Sequence, residues 1–186
     1  MRSNTKLRNV AENTAVTGVL SAEAIVLSWL ESLLPALPFL PPGVKPGLAN
    51  IIVMFAASAL SLPQALCIVI IKSGFVLLTR GLSGAFMSLC GGVLSAIVMY
   101  ILMKFPKNSL GIIGISILSA ISHNAGQFLA ASILAGSNLF LAYAPALLIF
   151  GILAGILTGI LMQTLLPILN KQYKKIIRLR SSYNEK

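Results

Sequence analysis

Between Gly111 and Leu134 the chain is long and apolar enough to cross a bilayer, yet it carries Ser116, Ser119, His123 and Gln127. These four are spaced three, four and four residues apart, so a helix sets them on one face. A polar face in hydrocarbon is costly unless it meets protein, water or a ligand. The helix that bears it therefore has to lie inside a bundle, with the stripe turned toward other helices or toward a cavity. His123 is also the only histidine of the chain.

Composition fixes the setting. With 57% hydrophobic and 10% charged residues and a mean hydropathy of +0.93, the chain reads as an integral membrane protein. Strands of a membrane barrel would alternate apolar and polar positions, a pattern absent here. At roughly 20 residues per crossing, 186 residues accommodate about six spanning helices. The expected fold class is all-α: a cytoplasmic N-terminal segment at 1–13, a six-helix transmembrane domain at 14–166 and a basic cytoplasmic tail at 167–186.

The expected helices cover 14–34, 47–60, 63–79, 85–103, 111–134 and 139–166. A stiff apolar segment containing Pro35, Pro38, Pro41, Pro42 and Pro46 separates the first two, because proline cannot continue a helix. Arg80 to Gly84 forms the next turn, Phe105 to Ser109 another, and Gly136-Ser137-Asn138 ends the fifth helix.

Charge orients this arrangement. The formal net charge of +10 could suggest nucleic acid, but the basic residues concentrate at the ends and in one turn. Arg2, Lys6 and Arg8 open the chain, Lys104 and Lys107 flank the turn after the fourth helix, and Lys171, Lys174, Lys175, Arg178, Arg180 and Lys186 close it. Only Lys45 and Arg80 fall in the opposite loops. Cytoplasmic loops of membrane proteins are enriched in Lys and Arg, so both termini are expected in the cytoplasm. The tail can also touch anionic headgroups. No nucleic-acid partner is expected.

Several constellations carry possible chemistry. Gly151, Gly155 and Gly159 form two overlapping GxxxG units, which let another backbone approach closely, either within the chain or across to a partner. Ala11, Ala15, Gly18 and Ala22 make a small-residue ridge at the start of the first helix. Glu23 and Lys72 sit about nine residues, or ~13 Å, from the cytoplasmic ends of their helices and could pair; alternatively Lys72 meets an anionic ligand group. Glu31, Asn50, Arg80 and Gln127 belong to the outer half, whereas Asn124, about 100° from His123 on the helix, can face a neighbouring helix. His123 with Gln127 and Ser119 serves either as interhelical glue or as one wall of a ligand pocket. Cys67 and Cys90 lack metal or disulfide spacing and read as small core residues.

Catalysis has little to work with. The chain holds four acidic residues, so no acidic cluster is available for metal–diphosphate chemistry. No nucleotide-binding glycine loop and no acid–base pair at recognisable spacing is present. The expectation is a protein that is not an enzyme and carries no cofactor.

Three segments resemble a known family: Glu31-Ser-Leu-Leu-Pro35, Pro42-Gly-Val-Lys-Pro-Gly-Leu-Ala-Asn50, and Gly114-Ile-Ser-Ile-Leu-Ser-Ala-Ile-Ser-His-Asn-Ala-Gly-Gln127. They resemble the Gx transporter family, often labelled heptaprenyl diphosphate synthase component I, itself similar to the substrate-binding S components of energy-coupling-factor transporters. The resemblance covers residues 15 to 165, with 123 to 127 its most specific part. It implies a six-helix bundle in the bacterial plasma membrane whose long outer loop covers an outward pocket. It also implies a membrane scaffold subunit and two cytoplasmic ATPases as partners, ATP being used by them. Ala15, Gly18 and Ala22 would dock the scaffold, Glu23 beside them being a departure from the family pattern. Substrate binding would fall to His123, Gln127, Ser119, Asn124, Glu31, Asn50, Lys72 and Arg80. The synthase label fits the chemistry poorly, since prenyl diphosphate synthases need acidic motifs. A non-catalytic membrane subunit associated with such a synthase is the alternative.

Overall fold

The computed structural model describes the backbone of residues 2–33, 47–104, 110–136 and 139–184, and the side chains of 10–33, 47–104, 110–136 and 145–173. The proline-rich segment, the turn at 105–109, Ser137-Asn138 and, apart from Lys171, the basic side chains of both termini lie outside the described residues. Among the described residues five helices follow one another: α1 (Arg2–Leu33), α2 (Leu48–Ala59), α3 (Leu62–Lys104), α4 (Gly111–Ala135) and α5 (Leu139–Asn184). Stretches of four of them, Val10–Leu33, Leu62–Lys104, Gly111–Ala135 and Pro145–Tyr173, are long and apolar enough to cross a membrane.

The short helix is the centre of the molecule. α2 is apolar nearly all round, and every residue from Ala49 to Ala57 is buried, as expected of a helix with no solvent or lipid face. Its 12 residues extend for about 18 Å. Phe55, Val53 and Met54 pack against Leu20 and Ala24 of α1, Ile68, Val69, Ala96 and Met99 of α3, Ile115 of α4, and Met162, Leu169 and Tyr173 of α5. Apolar side chains elsewhere, among them Leu78, Leu82 and Ile133, are exposed. That inversion suits a surface wetted by lipid rather than water.

α3 is a hairpin made with one residue. Gly81 alone leaves helical geometry, at φ 75° and ψ −174°, a positive φ that glycine adopts without strain. Across the bend Val69 meets Gly92, Ser73 Oγ lies 3.4 Å from Ser88 Oγ, and Val76 approaches Gly84. Each pair sums to nearly the same number, which is the signature of antiparallel limbs, 62–80 and 82–104. The five-residue turn expected at Arg80–Gly84 is thus compressed to a single position, since only Gly81 leaves helical dihedral angles.

α4 lies between the second limb of α3 and α5. Gly151, Gly155 and Gly159 of α5 face Ile121, Ile117 and Ile113 of α4, again at a constant sum, and a methyl on Gly159 would come within 2.9 Å of Ile113 Cα. On the other side Gly126 and Gly91 bring α4 and α3 together. Both end helices run past the expected spans, α1 beginning at Arg2 and α5 continuing to Asn184. Cys67 is exposed and Cys90 half-buried, so neither is the core residue expected.

Candidate functional site

The C-terminal end of α1, the N-terminus of α2, the bend of α3 and the C-terminal half of α4 converge on one partly open cavity of about 260 Å³. Each brings a polar group for a local reason. α2 begins after Gly47, which has a left-handed conformation (φ 80°) and offers no side-chain cap. The missing cap comes from another helix: Glu31 Oε1 of α1 accepts the Leu48 amide, so a carboxylate meets the positive end of the α2 dipole. One turn earlier on α1, Ser28 joins the same wall.

Asn50, in the first turn of α2, accepts a 3.0 Å hydrogen bond from Lys72 Nζ of α3. Both side chains are buried, at 8% and 5% exposure, as is Glu31 at 6%. A buried ammonium is tolerable only with such partners. The charges of Glu31 and Arg80 both bear on Lys72 through space. Arg80, the last residue before the bend, is exposed, and Ser83, Gly84, Met87 and Ser88 complete the α3 wall. The tight crossing at Gly91 and Gly126 seats His123 and Gln127 on the fourth wall, where both would collide with any side chain at Gly91.

A water-sized recess of about 20 Å³ adjoins it, sharing Gly47, Asn50 and His123 and adding Ser119, Asn124 and Thr158. Ser119 Oγ, His123 Nδ1 and Asn124 Nδ2 are buried and have no hydrogen-bond partner among the described residues. Most buried polar groups in proteins are satisfied, so three such atoms on one helix mark a place where water or ligand atoms belong. Asn124 also reaches toward Gly151 of α5. Ser116, the remaining stripe residue, instead donates to Met54 Sδ at 3.2 Å.

Of the expected binding residues, Glu31, Asn50, Lys72, Arg80, His123 and Gln127 line the main cavity, and Ser119 and Asn124 the recess. Of the two readings of Lys72, a pair with Glu23 or a contact with an anionic ligand group, the pair is not formed. Glu23 accepts from Tyr173 Oη at 3.2 Å, eight residues or about 12 Å along α1 from Glu31, while Lys72 is engaged by Asn50. Ser28, Ser83, Ser88 and Thr158 were not anticipated. Ser28 could have been found, because it precedes Glu31 by three residues and so shares its face. Ala15, Gly18 and Ala22 are all exposed on α1, and nothing lies within 4 Å of a methyl placed on Gly18.

Among the described residues no cluster of three potential metal ligands occurs. No curated protein and no solved structure matches the chain. Residues 20–165, a span that holds every residue lining either cavity, match the family model described as Heptaprenyl diphosphate synthase component I. A match over so much of its length places the chain in the heptaprenyl diphosphate synthase component I family.

Proposed function

We propose that this membrane protein is the substrate-binding subunit, or S component, of an energy-coupling-factor-type importer in a plasma membrane, and that it is not itself an enzyme. The observation that carries the reading is the cavity at one end of the bundle, where buried Glu31, Asn50 and Lys72 join His123 and Gln127 with recess atoms left unsatisfied. A site devoted only to helix packing would close such space. The antiparallel limbs of α3 support counting that helix as two crossings, which with the others makes six and puts both termini on one side. The bias of Lys and Arg favours the cytoplasm for that side, so the cavity opens outward.

The exposed ridge of Ala15, Gly18 and Ala22 supports docking of a membrane scaffold subunit on α1, with two cytoplasmic ATPases supplying energy. Purification of the full chain from its own host in mild detergent, followed by native mass spectrometry, tests the assembly. An associated scaffold–ATPase module is expected, and Gly18→Leu should lose it. The family description itself favours a second reading, a non-catalytic membrane subunit of a prenyl diphosphate synthase. Recovery of a soluble prenyltransferase and no ATPase would establish that one instead.

A further inference from the structure

The charge balance and size of the cavity narrow the ligand class, an inference that rests on reading the cavity as a binding site. Among the described residues two cations face it, Lys72 and Arg80, against one carboxylate, Glu31. Glu31 is already turned to the α2 N-terminus through the Leu48 amide, and Lys72 donates to a neutral acceptor, Asn50. The other polar walls, Ser28, Ser83, Ser88 and Gln127, are uncharged. The described lining thus carries a formal excess of one positive charge, setting His123 aside. Lys72 and Glu31 are buried and Arg80 is exposed, so the excess lies with Arg80 at the partly open cavity and favours a guest that brings one negative charge. A neutral guest leaves the imbalance, and a dianion reverses it.

Volume sets the second limit. The cavity, at about 260 Å³, is of a size for a small organic molecule. A heptaprenyl diphosphate is larger than that space and brings two phosphates besides. Val76 and Met87 provide the apolar part of the lining, and His123, Gln127 and the serines provide neutral hydrogen-bonding groups.

We propose that the cavity takes a small organic monoanion of the carboxylate class, with its charged group near Lys72 and Arg80 and its body against Val76, Met87 and His123. Three probes that share one ring and differ in charge test this: benzamide, benzoate and phenyl phosphate, titrated calorimetrically into the full chain in lipid nanodiscs. Benzoate should bind about tenfold more tightly than either of the others. Arg80→Gln, at an exposed position that leaves the core intact, should abolish the preference for benzoate over benzamide. Glu31→Gln keeps an oxygen for the Leu48 amide while adding one formal positive charge, and should move the preference to phenyl phosphate. Equal binding of benzamide, tighter phenyl phosphate on the unmodified protein, no benzoate binding at millimolar concentration, or preferences untouched by both variants would each overturn the proposal. Charge-selective binding without an associated ATPase module would leave the ligand class standing and sink the importer reading; the module without charge selectivity would do the reverse.

Discussion

α4 uses its two sides in opposite ways. Toward α5 the glycines at 151, 155 and 159 let the backbones of two helices meet, leaving no room even for a methyl. Toward α2 and the bend of α3 the same helix holds space open and lines it with His123 and Gln127. Neither side is an ordinary apolar interface. In a bilayer, lipid competes equally for aliphatic side chains, so tight association comes from close backbone approach and from polar groups. The seam uses the first device and the cavity the second. The seam makes α4 a fixed wall against which the groups of α1, α2 and α3 can be set.

Changes at three positions would break or sharpen this contrast. The largest effect is expected at the seam. Gly155→Leu drives a side chain into the Ile117 backbone and should destabilise the bundle by about 3 kcal/mol; an unchanged unfolding midpoint in bicelles would mean that the seam is not tight. On the cavity side, Asn50→Leu leaves the Lys72 ammonium buried without its acceptor, a loss of about 2 kcal/mol. Asn50→Asp, which restores an oxygen, should recover most of that loss in the same assay. Ser119→Ala should have the smallest effect, within about 0.5 kcal/mol, because its hydroxyl has no hydrogen-bond partner among the described residues. A drop well beyond that would identify the stripe as interhelical glue and weaken the reading of a binding wall.

Much of this was legible in the residues alone, and the limits are instructive. The stripe on α4 follows from a spacing within one helix, which periodicity reports directly. Glycines four apart announced a close helix contact, although not that Ile113, Ile117 and Ile121 would be its other side. The partner of Lys72 was missed for a different reason. Depth along a helix was counted from an assumed end, and that placed Lys72 level with Glu23 when it reaches Asn50. Contacts between helices depend on register and rotation, which no single-helix pattern contains. The compression of the Arg80–Gly84 turn to Gly81 was hidden as well, because a glycine in a helix and a glycine that folds one helix back on itself look alike in sequence. The role of Glu31 as a cap for α2 depends on two helices meeting end to end.

The hydrogen bond between Tyr173 and Glu23 joins residues 150 positions apart. Ribosomes add about 5–20 residues per second, so on the order of 10 s passes after Glu23 is made before Tyr173 exists. Throughout that interval the first helix carries a carboxylate whose eventual donor has not been synthesised. Insertion of α1 must therefore be completed, or that carboxylate kept near water or another protein, before the bundle can close. The contact between α1 and α5 is a marker that α5 has joined the bundle, and its formation could be timed on ribosome-bound chains of increasing length.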